Sequence, residues 1–209
     1  MKLAVVCANG KAGKLIVKEA VSRGLDVTAV VRGENKTEAA KVLTKDLMDL
    51  TAADLAGFDV VVDAFGAWTP ETLEQHSTTL KHLCDILSGT DTRLLVVGGA
   101  GSLYVNPEHT VQVFDAPGFP DAFKPLASAM AKALSELRER KDVKWTYISP
   151  AGDFQANGER SGQYILGGEE LTLNSKGESI ISYADYAIAM IDEATKGDHI
   201  QQRISVVRK

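Results

Sequence analysis

Asn9-Gly10-Lys11-Ala12-Gly13 lies between an apolar run, Leu3–Val6, and a stretch with helical apolar spacing, Ile16/Ala20 and Val17/Val21. That arrangement suits the binding of a pyrophosphate. Gly10 lets the backbone pass close to a phosphate, and Gly13 lets a helix sit tightly on the strand. The first amides of the helix then point at the negative charge. Gly24 closes the helix and Val27–Val31 follows as a second strand, so the glycines have the context of one strand–helix–strand unit. A carboxylate at the end of that second strand would read a free ribose 2′-hydroxyl. The chain has Arg32 there, with Lys36 shortly after. A guanidinium stacks on adenine and pairs with a 2′-phosphate, so NADP(H) is expected in preference to NAD(H), unless Arg32 is only a solvated strand-end charge.

Ligands of open α/β sheets bind beyond the carboxyl ends of the strands, and the remaining strand ends supply further candidates. After Val42-Leu43, Asp46 can accept from an adenine amino group or merely cap a turn. After Val60–Val62 comes Asp63-Ala64-Phe65-Gly66-Ala67-Trp68. Ala64, Phe65 and Gly66 are expected against the cofactor, the small residues leaving room for a ribose or nicotinamide. Trp68 offers a stacking face for a planar substrate, or else packs. After Leu94–Val97, Gly98 and Gly99 open a glycine-rich turn that either needs backbone geometry forbidden to larger residues or clears a ligand. Ser102 is the catalytic candidate there, placed to hydrogen-bond a substrate carbonyl. His109, in the following loop, is the one histidine expected near substrate. Pro150 ends the run Trp145–Ile148 and is assigned to the cofactor site. Arg160, in Glu159-Arg160-Ser161-Gly162, either clamps a phosphate or lies on the surface.

Missing residues are also informative. Short-chain carbonyl reductases use Tyr-x-x-x-Lys, the phenol donating a proton while the lysine lowers its pKa. None of Tyr104, Tyr147, Tyr164, Tyr183 and Tyr186 has a lysine four residues later. His76 falls on the apolar side of its helix and reads as a core histidine, while His82 and His199 read as surface residues. No His/Cys/carboxylate set has metal-ligand spacing.

The elements that must position these residues alternate regularly. Six apolar, β-branched runs separated by helices over the first 150 residues predict a doubly wound parallel α/β sheet buried on both faces. Helices are expected at Gly13–Arg23, from Thr69-Pro70 to just before Gly89, at Leu126–Lys141 and at Tyr183–Ala194, with a last strand at Ile204–Val207. Residues 1–209 read as a single domain in which the glycine-rich segment 150–209 forms a small lobe over the cofactor's reactive end. A net charge of −5 without basic runs argues against nucleic acid, and no apolar stretch approaches a membrane span. Cys7 and Cys84 are isolated and form no CxxC. With a strand beginning directly after Met1, a cytoplasmic, reduced protein is expected. Oligomeric state is not legible.

These pieces together resemble the atypical short-chain dehydrogenases of the NADH-flavin reductase branch, with broader similarity to NmrA-like and biliverdin reductase B proteins. The matching stretches are Asn9–Gly13, Ala29–Arg32, Asp59–Gly66, Val97–Leu103, Trp145–Pro150, Gly158–Gly162 and Ile181–Ala187. One departure is Cys7, where relatives usually have glycine. The resemblance implies a Rossmann-like fold, a nicotinamide cofactor and a flavin as hydride acceptor. FMN, or another planar acceptor such as a quinone or tetrapyrrole, fits the residue inventory. Hydride passes directly to flavin N5, and stacking two rings at reactive distance needs no Tyr/Lys pair. A non-catalytic NADP(H) sensor and an epimerase-like enzyme remain alternatives.

Overall fold

The computed structural model describes all 209 residues, Met1–Lys209. Its chain order is β1 (Lys2–Val6), α1 (Lys11–Ser22), β2 (Asp26–Val31), β3 (Lys41–Thr44), the single turn α2 (Ala52–Leu55), β4 (Val60–Asp63) and α3 (Gln75–Leu87). It continues with β5 (Arg93–Val97), α4 (Lys124–Arg138), β6 (Lys144–Ser149), β7 (Asp153–Gln155), β8 (Tyr164–Gly167), β9 (Ile180–Ser182), α5 (Tyr183–Lys196) and β10 (Gln202–Arg208). Eight strands form one sheet in the order β3-β2-β1-β4-β5-β6-β10-β8. Every pairing in it is parallel except β8 with β10. The order reverses between β1 and β4, where a doubly wound sheet opens its ligand crevice.

The strands read as unbroken apolar runs because both faces are covered. Leu3 and Val5 of β1 pack with Ile16, Val17 and Ala20 of α1 and with Tyr186, Met190 and Ile191 of α5. Ala4 and Val6 point to the other face, with Leu80, Leu83 and Leu87 of α3 and Leu134 and Leu137 of α4. The expected α3 start moves: Thr69 and Pro70 open only a short 3₁₀ turn at Pro70–Thr72, and the α-helix begins at Gln75. No helix is long and apolar enough to cross a membrane.

Beyond Pro150 the chain returns to the main fold. α5 lies on α1, β10 adds to β6, and β8 adds antiparallel at the edge. Only the β7–β9 pair, with its adjoining loops, stands outside the large sheet.

Candidate functional site

The turn after β1 is built around an unusual backbone. Cys7 has φ 58, in the left-handed region that glycine occupies without strain. Burial pushes its thiol up to about 12, and the neighbouring Asp63 carboxylate adds to the shift. Gly10 N–H donates back to Cys7 O at 3.0 Å, closing the turn. α1 then begins with no side-chain cap, so its first amides are free for an anion. Gly13 shows why the residue type matters. A Cβ there would lie 2.8 Å from Cys7 O and 2.9 Å from Ala8 Cα and O. The cradle therefore fits a pyrophosphate.

Asn9 has a structural task in the turn. Its amide donates to Glu34 O at 2.8 Å and its oxygen accepts from Lys36 N at 2.8 Å. It ties the phosphate turn to the loop after β2. Lys11 is exposed and Ala12 half-buried in the first turn of α1. Arg32 ends β2 with its side chain 84% exposed, touching only Asp46 at 3.9 Å. Asp46 caps the next turn, accepting from Met48 N at 2.9 Å, which is the capping role its position also allowed.

The loop after β4 crosses the same edge. Gly10 faces it closely enough that an added Cβ would sit 3.9 Å from Ala64 O. Ala64 and Phe65 are half-buried, Gly66 is exposed, and Trp68 is 70% exposed with its indole beside Gly66. The loop after β5 is held from below. Gly98 lies against the Tyr147 ring, where a Cβ would come within 2.3 Å, and Gly99 N donates to Tyr147 Oη at 3.1 Å. These glycines give way to protein side chains, where the sequence suggested a ligand. Pro150 is buried at the end of β6.

Three substrate candidates are engaged elsewhere. Ser102 is 5% exposed and its hydroxyl accepts from Arg203 Nη1 at 2.9 Å, which gives it a structural partner in place of open access to the crevice. His109 stacks on Tyr104 with ring centroids 4.6 Å apart and meets Glu170 at 3.2 Å. Arg160 is paired with Glu19 on α1 at 3.0 Å, away from the first turn that would receive phosphate. His199, expected at the surface, is half-buried against Glu193 at 2.7 Å.

Three residues that the sequence did not place at the site meet beneath the loops. Asp63, His76 and Tyr147 line a cavity of about 20 Å³ with Phe65, Met130 and Val97. Asp63 is 4% exposed, and burial raises its carboxyl to about 6, opposed by the Phe65 N–H it accepts at 3.0 Å. His76 bonds Ala67 O at 3.0 Å through Nε2, as a satisfied core histidine does, and burial lowers its pKa. Burial pushes the Tyr147 phenol up to about 12. An aspartate ending an otherwise apolar strand was the available signal.

Comparison with known proteins places this geometry. Residues 7–195 match the sequence model of a family described as NAD(P)H-binding. The uncharacterized Bacillus subtilis protein YwnB is 44% identical over 210 residues, covering 99% of this chain and 98% of that protein. The crystal structure of a candidate NADH-flavin reductase from Streptococcus pneumoniae superposes with a TM-score of 0.98 at 56% identity, covering 100% of both chains. A candidate epimerase from Bacteroides thetaiotaomicron superposes with a TM-score of 0.86 at 34% identity, covering 99% of this chain and 96% of that one.

Proposed function

This chain belongs to the NAD(P)H-binding family, and we propose that it transfers hydride from NADPH to FMN or a similarly planar acceptor. The observation that carries the reading is the exposed Trp68 indole beside Gly66, on the same sheet edge as the uncapped first turn of α1. The nicotinamide, when bound, supplies the hydride. The protein's part is to bind and align. The α1 amides and the Gly10 turn hold the pyrophosphate, and Arg32, free at the end of β2, meets the 2′-phosphate. Ala64–Gly66 leave room for the second ribose, and Trp68 offers a face on which an acceptor ring stacks. The β7–β9 segment and its loops cover that end. With Ser102 bonded to Arg203 and no Tyr-x-x-x-Lys, the chain suits an acceptor whose reduction needs alignment more than a donated proton.

The same burial of Ser102 favours a second reading, an NADP(H) sensor that binds without turnover. Anaerobic NADPH oxidation by the purified protein, with and without FMN, separates the two. FMN-dependent oxidation is the expected result. Tight NADPH binding without oxidation by FMN or a quinone would replace the reductase with the sensor.

A further inference from the structure

Both loops that face the proposed nicotinamide site are anchored on one buried cavity. The loop after β4 is held at three points: Phe65 N–H on the Asp63 carboxylate, the Phe65 ring edge-on to His76 at 5.6 Å, and Ala67 O on His76 Nε2. The loop after β5 is held by Tyr147, whose hydroxyl accepts from Gly99 N and whose ring supports Gly98. Asp63, His76 and Tyr147 all line the same space, which has room for about one water molecule. The other titratable groups that face Asp63 are Cys7 from the turn after β1 and Cys84 from α3. α4 contributes only Met130 and Ala133 to the cavity. No cation neutralises the carboxylate, and Phe65 N–H is its hydrogen-bond partner.

We propose that Asp63 is a positioning residue for cofactor binding: its ionised carboxylate fixes the 64–67 turn through Phe65 N–H and so holds the surface that receives the nicotinamide half. This rests on the nicotinamide site assigned above. A buried, unpaired charge is a poor structural choice, since an amide or an apolar side chain could fill the place without the desolvation cost. What the charge adds is a stronger acceptor for one backbone N–H. Protonation weakens that bond, and the turn loosens where the second ribose must pass. The consequence is a cofactor affinity that falls as Asp63 takes up its proton, confined to the nicotinamide half of the ligand.

The test compares wild type with Asp63→Asn, measuring affinity for NADP⁺ and for adenosine 2′,5′-bisphosphate at pH 7.5 and pH 5 by calorimetry; NAD⁺ and AMP form a second pair. Taking variant over wild type for each ligand cancels the ligand's own titration. The variant is expected to bind NADP⁺ about fivefold more weakly at pH 7.5, with the difference closing at pH 5 and absent for the fragments. Equal weakening of dinucleotide and fragment, or a difference that ignores pH, would overturn the proposal and leave Asp63 a merely structural residue. The wild-type protein gives an independent measurement if the variant does not fold. Its Phe65 amide resonance should titrate with Asp63, and saturating NADP⁺ should lower the midpoint. A midpoint indifferent to cofactor also refutes the idea. Failure of FMN reduction, in contrast, touches the acceptor and leaves this inference standing.

Discussion

Arg32 and Asp63 are the two charged residues with a proposed part in cofactor binding, and they sit at opposite extremes of solvation. Arg32 is almost fully in water and its 3.9 Å pairing with the exposed Asp46 is worth little, so a bound ligand's charge is where it can contribute. Replacing it with alanine should weaken NADPH by about 1–3 kcal/mol, the scale of a charge-assisted contact, and leave NADH nearly unchanged. Equal losses measured by fluorescence titration would mean that Arg32 does not read the 2′-phosphate. Asp63 is buried, and its effect is on folding itself. Burial raises its carboxyl to about 6 in the folded protein, against 3.8 for the free side chain. Between those values the native state binds the extra proton. The group's stabilising contribution is therefore complete below about pH 4 and is lost as pH rises through 6. At 1.36 kcal/mol per pH unit the loss is about 3 kcal/mol. Urea unfolding of wild type and Asp63→Asn should show the variant gaining about that much relative stability between pH 4 and pH 7.5. A constant difference would mean that the native carboxyl titrates normally.

At the scale of elements, the β1–α1 unit separates what a glycine does for the fold from what it does for a ligand. Gly13 is fixed by packing, because its missing Cβ would press on the backbone of Cys7 and Ala8. Gly13→Ala should cost about 1–3 kcal/mol in stability, the range for overpacking, and lose cofactor affinity with it. Gly10 differs, since its φ of −65° suits any residue and its Cβ would approach Cys7 O only to 3.3 Å. Gly10→Ala should unfold within about 0.5 kcal/mol of wild type yet bind pyrophosphate ligands more weakly. Both outcomes are read from paired thermal melts and binding curves. This unit was legible in the sequence because glycine spacing and strand–helix alternation are local signals. The six parallel strands of the first 150 residues were legible for the same reason. The edge strand β8 and the β7–β9 pair were not, since each is only three or four residues long and is defined by a partner distant in the chain.

Pairing across the whole molecule also gives Ser102, His109 and Arg160 partners within the protein. Ser102 meets Arg203 across 101 positions, and Arg160 meets Glu19 across 141; no spacing rule reports such contacts. Around Ser102 the partners form a partly buried junction between α4, the loop after β5 and the returning C-terminal segment. Glu169 accepts from Arg138 at 2.7 and 2.9 Å and from Arg203 Nε at 2.9 Å. The Arg203 side chain is only 1% exposed and lies over the Tyr104 ring at 5.8 Å. Its charge thus depends on Glu169 for compensation. Removing that carboxylate leaves a largely buried guanidinium without its counter-ion, a situation costing about 3 kcal/mol where one partner is partly solvated. Glu169→Ala should therefore melt about 10 °C lower, at the few degrees per kcal/mol expected for a chain of this size. Glu169→Gln, which keeps the acceptor oxygen, should recover part of the loss. Cofactor affinity should stay within about twofold of wild type, because the junction shares no residue with the α1 turn, Arg32 or the Asp63 cavity. If the alanine variant instead kept its melting temperature and lost NADPH-dependent turnover, Ser102 and its loop would return to the acceptor site.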